Sequence, residues 1–339
     1  MSMDYAKAGV DMKRVKGIHA SIKELIAATH GKDVLPVYGH YAGIVKIGKE
    51  TVAMHTDGVG SKVLVAQFLR KYDTVGIDCI AMNVNDIICV GAKPVALVDY
   101  IALEHEDEEL VAKLMQGLVE GAREAEVAII GGETAILPDM IKPGLDFSGF
   151  HTNGFDLAAT CIGVVGRWGL VTGERMKTND VVIGVESSGL HSNGYTLARK
   201  VLDMNEWAKE LLIPTRVYAK PIMECLRKVN VHGLAHITGG AFSKLSRIGE
   251  LAKRGFLLDS MPKPKPIFEE LKKRAGLNYG EMYSAFNMGI GLCVVVSRKD
   301  AKKVIEIFEA EGQKAYPIGK VIRERKVEVV KDGASFVLS

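Results

Sequence analysis

Short apolar runs alternate along the chain with longer segments that are apolar on one side only. Runs at Gly43–Ile47, Thr51–His55, Val95–Ala102, Val127–Ile130 and Leu157–Val165 predict strands. Between them, Asp78–Val90 and Asp107–Ala125 carry apolar residues at helical spacing, and the second opens on acids suited to a helix N-terminus. A new buried-type run, Asp180–Val185, starts the second half. It is followed by a predicted helix over Tyr195–Met204, a helix-like stretch Phe242–Leu251, a strand over Gly289–Val296 and an amphipathic helix over Lys299–Glu311. Ala315–Ile322 and Val327–Val330 read as a closing hairpin. This alternation predicts an α/β (α+β) class with mixed sheets. The apolar runs stop over the polar stretch Gly166–Asn179, which divides the chain into expected domains 1–166 and 167–339. Two domains also suit 339 residues, which exceed a typical single core. Pro262-Lys263-Pro264-Lys265-Pro266 reads as a stiff extended connector inside the second domain.

Composition narrows the function. A chain that is 47% hydrophobic and 25% charged is an ordinary soluble globular protein. Its net charge of +3, with no dense basic block, gives no reason to expect nucleic acid or a membrane surface. No run approaches the ~18 apolar residues of a membrane-spanning helix, and the first residues lack the apolar core of a secretory leader. Cys79, Cys89, Cys161, Cys225 and Cys293 are scattered in apolar surroundings without a C-x-x-C pair. They read as reduced core thiols in a cytoplasmic protein.

Four polar clusters interrupt the apolar segments. His55-Thr56-Asp57-Gly58-Val59-Gly60-Ser61-Lys62 follows a strand-like run and offers a carboxylate, two glycines, a hydroxyl and an ammonium. Glycines admit a phosphate close to the backbone, lysine supplies a point charge and aspartate a hard oxygen for Mg2+. The P-loop pattern is absent, so a nucleotide would be held by another design; an ordinary strand-turn is the competing reading. Asn83-Val84-Asn85-Asp86 lies inside an apolar helix, where an acid must be metal-bound or hydrogen-bonded to a neighbouring loop. Gly131-Gly132-Glu133-Thr134 reads as a glycine turn at a strand end that projects Glu133, either toward a ligand or merely to the surface. Asp57, Asp86 and Glu133 together are a sensible carboxylate supply for one or two Mg2+ ions on a triphosphate. The fourth cluster, Ser187–Tyr195, is rich in hydroxyl, amide and imidazole groups. Ser192 or Asn193 could cap the following helix, and His191 could act as a general base or acid, or donate to a developing negative charge. His236-Ile237-Thr238-Gly239-Gly240 resembles an anion site leading into a helix.

Jointly these clusters resemble the aminoimidazole ribonucleotide synthetase family, also called phosphoribosylformylglycinamidine cyclo-ligase. The resemblance is carried by Tyr5–Asp11, His55–Lys62, Val84–Asp86, Gly131–Ala135, Ser187–Leu197, His236–Gly240 and Phe286–Gly291, in the family's order and across almost the whole chain. It implies an ATP-dependent ring closure in purine biosynthesis, from formylglycinamidine ribonucleotide to 5-aminoimidazole ribonucleotide, ADP and phosphate. It implies two α/β domains whose N-terminal sheets form a barrel-like homodimer. It further implies Mg2+ on Asp57, Asp86 and Glu133, ATP contacts from Lys23, Gly58, Gly60, Lys62 and Thr134, and substrate contacts from Ser188, His191 and Asn193. His191, Asp57 and Lys62 would be catalytic, with His191 handling protons, and K+ is a possible further cofactor.

Some segments depart from the family pattern. Ala241 stands where a third glycine is usual, which matters if the loop needs a positive φ there. Ile136–Met140 replaces an acidic-Met-Pro-Gly form, and Tyr38–Gly43 is less glycine-rich than the usual loop over the nucleotide. Relatives of similar architecture do other chemistry. No cysteine precedes Cys79, unlike selenophosphate synthetase, and the chain ends on Ser339 rather than the cysteine of the hydrogenase-maturation enzyme. Thiamine-monophosphate kinase is the nearest kinase alternative, and several such relatives carry Asp where this chain has His236. A catalytically silent nucleotide-binding scaffold is the alternative from another class.

Overall fold

The computed structural model describes residues 21–22, 24–36, 39–144 and 153–338. Lys23, Tyr5–Asp11 and Tyr38 lie outside the described residues; around Lys23, residues 21–22 and 24–27 are helical. The first half contains strands β1 (Val34–Leu35), β2 (Gly43–Ile47), β3 (Glu50–Gly58), β4 (Ala92–Leu103), β5 (Ala128–Ile136) and β6 (Phe155–Val165), with helices α1 (Val63–Leu69), α2 (Asp73–Cys89) and α3 (Glu108–Ala125). The second half contains β7 (Val181–Glu186), α4 (Tyr195–Val201), α5 (Met204–Leu211), α6 (Ala219–Lys228), β8 (Val231–His236), α7 (Leu245–Ala252), β9 (Gly255–Leu258), α8 (Pro266–Ala275) and α9 (Tyr279–Ala285). It closes with β10 (Ile290–Val296), α10 (Ala301–Ala310), β11 (Ala315–Ile322), β12 (Val327–Lys331) and β13 (Ala334–Leu338).

Two mixed sheets result, ordered β1-β2-β3-β6-β4-β5 and β13-β12-β9-β11-β7-β10-β8. The chain passes from one to the other between Val165 and Val181. Every residue of β10 is buried, as the unbroken apolar run Ile290-Gly291-Leu292-Cys293-Val294-Val295-Val296 requires. Helix α3 is capped by Asp107, which accepts from the Leu110 N–H at 2.9 Å. Helix α2 is buried almost all round: it packs on the first sheet and α3, and also touches β8 and α6 of the second half. The two helices meet at Gly76 and Gly117, where a Cβ on Gly117 would lie 1.6 Å from the Asp73 carbonyl oxygen. Since α2 carries Asp78, Asn83, Asn85 and Asp86, this close crossing fixes the polar groups that reach the second half.

Two local expectations fail. Gly131–Thr134 is no turn: β5 runs through it to Ile136, parallel to β4. Gly132 sits mid-strand because the Asp99 carboxylate occupies its side-chain space, a Cβ there lying 1.5 Å from Asp99 Oδ1. Likewise β11 and β12 do not pair; β9 lies between them, and β12 forms its hairpin with β13. Strand order of this kind follows from long-range pairing, which local periodicity does not encode.

In the first sheet, α2 and α3 cover one face. The other face presents Met54, Val98 and Tyr100, which are 47, 41 and 41% exposed. Cross-strand partners share a face, so Asp57, Ala159, Asp99 and Gly132 form one row, and Gly58, Ala158, Tyr100 and Glu133 the next, on the opposite side.

Candidate active site

A cleft of roughly 1020 Å³ opens between the two halves. On one side, β3 contributes His55, Thr56 and Asp57, and α2 contributes Asp86; on the other, the start of α7 contributes Lys244 and Arg247. The acids are held rigidly. Asn83 brackets the Asp57 backbone, accepting from its N–H and donating to its carbonyl, each at 3.0 Å. Asp86 accepts from His236 Nδ1 at 2.7 Å, and its other oxygen lies 3.4 Å from His55 Nε2. Burial would raise Asp86, but the His236 hydrogen bond, with the charges of His236, Lys244 and His55, holds it below the usual carboxylate range. Asp57 is pushed up, by burial first and then by the Asp86 charge. Two carboxylates that resist being ionised together favour a divalent cation, and Mg2+ is commonly held by one or two carboxylates plus phosphate oxygens. Asp57 and Asp86 therefore fit such an ion.

Glu133 does not join them within one chain. It lies on the opposite face of the sheet from Asp57, exposed, and three strand spacings of about 4.8 Å along its row from Gly58. Thr134 shares that outer strand. Among the described residues no group of three His, Cys, Asp or Glu side chains is placed to hold a metal. The expected convergence of Asp57, Asp86 and Glu133 is thus corrected for a single chain, and the reason is the two-residue period of a strand.

Lys62 is a second correction. Its ammonium is wholly buried and donates to Asp78 Oδ1 at 2.9 Å, the His191 carbonyl at 3.0 Å and the Ile213 carbonyl at 2.6 Å. All three N–H groups are used, leaving none for a triphosphate. Asp78 Oδ1 in turn accepts from the Thr215 N–H at 2.7 Å, the Thr215 hydroxyl at 2.5 Å and the Ser192 hydroxyl at 3.0 Å. Lys62 and Asp78 belong to the first half and their other partners to the second, so this pair fastens the halves together. Gly58 ends β3, and Gly60 takes φ +66° just before Lys62.

Ser187–Asn193 is tied into the same network. Neither Ser192 nor Asn193 caps α4, whose N-cap is Gly194 with no side-chain hydrogen bond. Ser188 donates its backbone N–H to His191 Nε2 at 3.2 Å and its hydroxyl to the Pro214 carbonyl at 2.5 Å, while its carbonyl accepts from Lys265 Nζ at 2.7 Å. His191 is fully buried at φ +64°, its ring centroid 6.4 Å from that of His236. Burial, then the neighbouring charges of His236, Lys62, Arg216 and Lys265, push its pKa well below the ordinary imidazole value. The ring is neutral at physiological pH; because Nε2 accepts, Nδ1 carries the proton, and this buried donor has no partner among the described residues. Asn193 Nδ2 is likewise buried without a partner. Ala241 does adopt the positive φ that a glycine would favour, at +42°.

Sequence reasoning missed Lys244, Arg247, Asp78, Thr215 and the Asp86–His236 bond. Lys244 and Arg247 lie in the helix-like stretch Phe242–Leu251, within which neither was singled out. The signal for Asp78 was available: an acid and a lysine, both embedded in apolar runs, have to find each other or a ligand.

With this geometry in view, similarity to known proteins decides the lineage. Residues 39–165 match the family model described as AIR synthase related protein, N-terminal domain, and residues 177–332 match the C-terminal domain of the same description. The phosphoribosylformylglycinamidine cyclo-ligase of Saccharolobus solfataricus is 46% identical over 326 residues, covering 95% of this chain and 94% of that protein. The protein of the same name from Methanocaldococcus jannaschii is 46% identical over 95% of this chain and 93% of its own length. The chain belongs to the phosphoribosylformylglycinamidine cyclo-ligase family. Among solved structures, the HypE–HypF complex superposes with a TM-score of 0.70 at 20% identity, covering 94% of this chain and 99% of that one. AaThiL complexed with AMPPCP and TMP gives 0.65 at 17% identity, covering 97% and 98%. At such identities these two establish the fold alone. Among the described residues no helix is long and apolar enough to cross a membrane.

Replacing Lys62 by methionine strands the Asp78 carboxylate in the interior. Lys62→Met is expected to lower stability by about 3–5 kcal/mol, and adding Asp78→Asn should restore part of the loss. Denaturant unfolding of the single and double variants checks this. A Lys62→Met change within about 0.5 kcal/mol, the range of an exposed side chain, would refute the fastening role.

Proposed function

We propose that this chain closes an imidazole ring at the expense of ATP, converting formylglycinamidine ribonucleotide into 5-aminoimidazole ribonucleotide, ADP and phosphate in purine biosynthesis. The observation that carries this reading is near-complete coverage at 46% identity by proteins named for that reaction, together with a cleft whose acids fit a magnesium–triphosphate complex. ATP as the phosphoryl donor draws support from a neighbour of the same fold solved as HypE in complex with ATP.

The chemistry accounts for the residue types. A formamide oxygen is a poor leaving group. Transfer of the γ-phosphoryl group to it breaks the β,γ-anhydride, releases ADP and, with loss of the formamide N–H proton, leaves an iminophosphate. The amidine nitrogen then attacks that carbon, expels phosphate and loses a proton. In-line transfer needs positioning and charge neutralisation rather than covalent help. Asp57 and Asp86 would hold Mg2+, which supplies charge neutralisation on the phosphate oxygens. The Asn83 clamp and the His236 bond keep the two acids in place, while Gly58 and Gly60 let the backbone come close to a phosphate. His191 enters as a neutral donor rather than a proton shuttle. Its protonated Nδ1 and the Asn193 amide are unsatisfied buried donors, the arrangement suited to a developing negative charge on the substrate. The five buried free thiols suit a reducing cytoplasm.

We also propose a homodimer joined through the uncovered face of the first sheet. Val98 and Tyr100 would be covered there, and Glu133, which shares their face, would meet the partner rather than its own cleft.

Purified protein given formylglycinamidine ribonucleotide, Mg-ATP and K+ should form 5-aminoimidazole ribonucleotide and ADP in equal amounts. ATP turnover on thiamine monophosphate with no imidazole product would overturn the assignment. His191→Ala should lose about 10²–10³ in kcat, as for removal of one oxyanion donor. His191→Asn keeps an N–H donor and tolerates the left-handed backbone, so it should stay within about tenfold of the parent. The parent and the Asn variant should share one kcat profile from pH 6 to 9; an Asn variant as inactive as Ala would show that the ring moves protons. Val98→Glu with Tyr100→Glu should give monomers by sedimentation velocity, and a dimer that persists unchanged would rule out this interface.

A further inference from the structure

The second wall of the cleft carries a cluster that the ring-closing reading does not by itself assign. Tyr41 is buried, with 2% of its surface exposed, and its hydroxyl has no hydrogen-bond partner among the described residues. Two cations lie against its ring, Lys244 Nζ at 5.6 Å and Arg247 Cζ at 5.7 Å from the centroid. Both distances are within the range of cation–π attraction. The His40 ring meets Tyr41 edge-on at 5.5 Å between centroids, and both His40 nitrogens are buried without partners. His40, Tyr41, Lys244 and Arg247 all line the same cleft as Asp57 and Asp86.

This cluster is over-supplied with positive charge and donors. Among the described residues neither Lys244 nor Arg247 has a carboxylate oxygen within ion-pair distance. Lys244 donates a hydrogen bond to the hydroxyl of Thr238. Burial pushes the Lys244 pKa down, against the upward pull of the Asp86 and Asp57 charges, and the Arg247 charge lowers it further. Burial, then Arg247, drives His40 down to about 4, so at neutral pH its ring is uncharged and offers one N–H. Two like charges held against one aromatic ring repel each other, and among the described residues the acids acting on Lys244, Asp86 and Asp57, do so without ion-pair contact. A guanidinium fork, an ammonium, a phenol and an imidazole N–H converging on a cleft match the terminal oxygens of a phosphoryl group.

We propose that Lys244, Arg247, Tyr41 and His40 form a phosphoryl-binding seat on the cleft wall facing Asp57 and Asp86. The shared chemistry is a phosphate bearing at least two terminal oxygens. Within the ring-closing reading, on which this part rests, it belongs either to the nucleotide triphosphate or to the 5′-phosphate of the ribonucleotide.

Inorganic pyrophosphate tests the seat without reference to the reaction. Titrated calorimetrically with EDTA present, so that Asp57 and Asp86 hold no metal, it should bind the parent protein. Arg247→Gln and Lys244→Gln should each bind at least tenfold more weakly, and Arg247→Lys should fall between parent and Gln. Circular dichroism melts identify any variant that has unfolded, in which case Tyr41→Phe, which removes only the hydroxyl, supplies the comparison and should weaken binding about threefold or more. Equal affinity in the parent and every folded variant, or no binding to the parent at 10-fold excess over millimolar protein, overturns the seat even if the enzyme makes its product. The source is then read from two further titrations. Weakened binding of Mg-AMPPNP assigns the seat to the nucleotide. Weakened binding of formylglycinamidine ribonucleotide, with binding of its dephosphorylated riboside unaltered, assigns it to the 5′-phosphate. A protein that binds pyrophosphate at this seat but forms no imidazole product would retain the seat and lose the proposed reaction.

Discussion

The buried Lys62–Asp78 pair is the constraint on which the rest of the molecule depends. Neither charge is tolerable in the interior alone, since the penalty of removing such an ion from water is several kcal/mol. The first half supplies both ions but not their solvation. Lys62 completes its shell with the His191 and Ile213 carbonyls, and Asp78 completes its own with Thr215 and Ser192. Docking of the halves and ordering of the Ser187–Asn193 loop are therefore one event. The same contact helps hold His191 at a backbone angle that a non-glycine residue adopts at a cost of order 1–3 kcal/mol.

Helix α2 extends this principle along its length. Asp78 and Asn85 are seven residues apart, two turns of helix, and both face the second half, where Asn85 accepts from the Tyr218 N–H at 3.0 Å and donates to the Arg216 carbonyl at 2.9 Å. Asp86 reaches His236 at the end of β8, while Asn83 turns back to β3. One helix thus sets the spacing between the strand that carries Asp57 and the strand end that carries His236. The cleft inherits its charge layout from that geometry, with two acids on the α2 side and Lys244 and Arg247 opposite. A magnesium–triphosphate complex carries both signs of charge, and such opposed walls can satisfy both.

What the chain discloses in one dimension follows from which signals are local. The apolar runs gave most elements of the first sheet to within a few residues, because burial of one strand face or one helix stripe leaves a period that a short window captures. The interruption Asn83-Val84-Asn85-Asp86 was legible for a related reason: buried polar groups are expensive and must be matched. Of the two readings open for Asp86, hydrogen bonding is realised, though by His236 at the end of strand β8 rather than by a loop, and this does not exclude a cation on its other oxygen. Lys244 was illegible, since nothing in Phe242–Leu251 distinguishes a cleft lysine from a solvated one until β8 and Tyr41 are in place. The β12–β13 hairpin was misassigned to β11 and β12 because the insertion of β9 between them is a contact of the folded chain only.

Glu133 illustrates how a single residue of register decides chemistry. As part of a glycine turn it would have been free to swing toward Asp57. As the sixth residue of a continuous strand it is committed to the face that carries Tyr100, while Asp57 is committed to the face that α2 covers. No side-chain rotation crosses a sheet. The acid therefore faces only what approaches the uncovered side of the sheet. That face also exposes Met54, Val98 and Tyr100, apolar area that a second copy of the chain would remove from water. Burial of this surface and enclosure of Glu133 against a second copy would then be two consequences of one association.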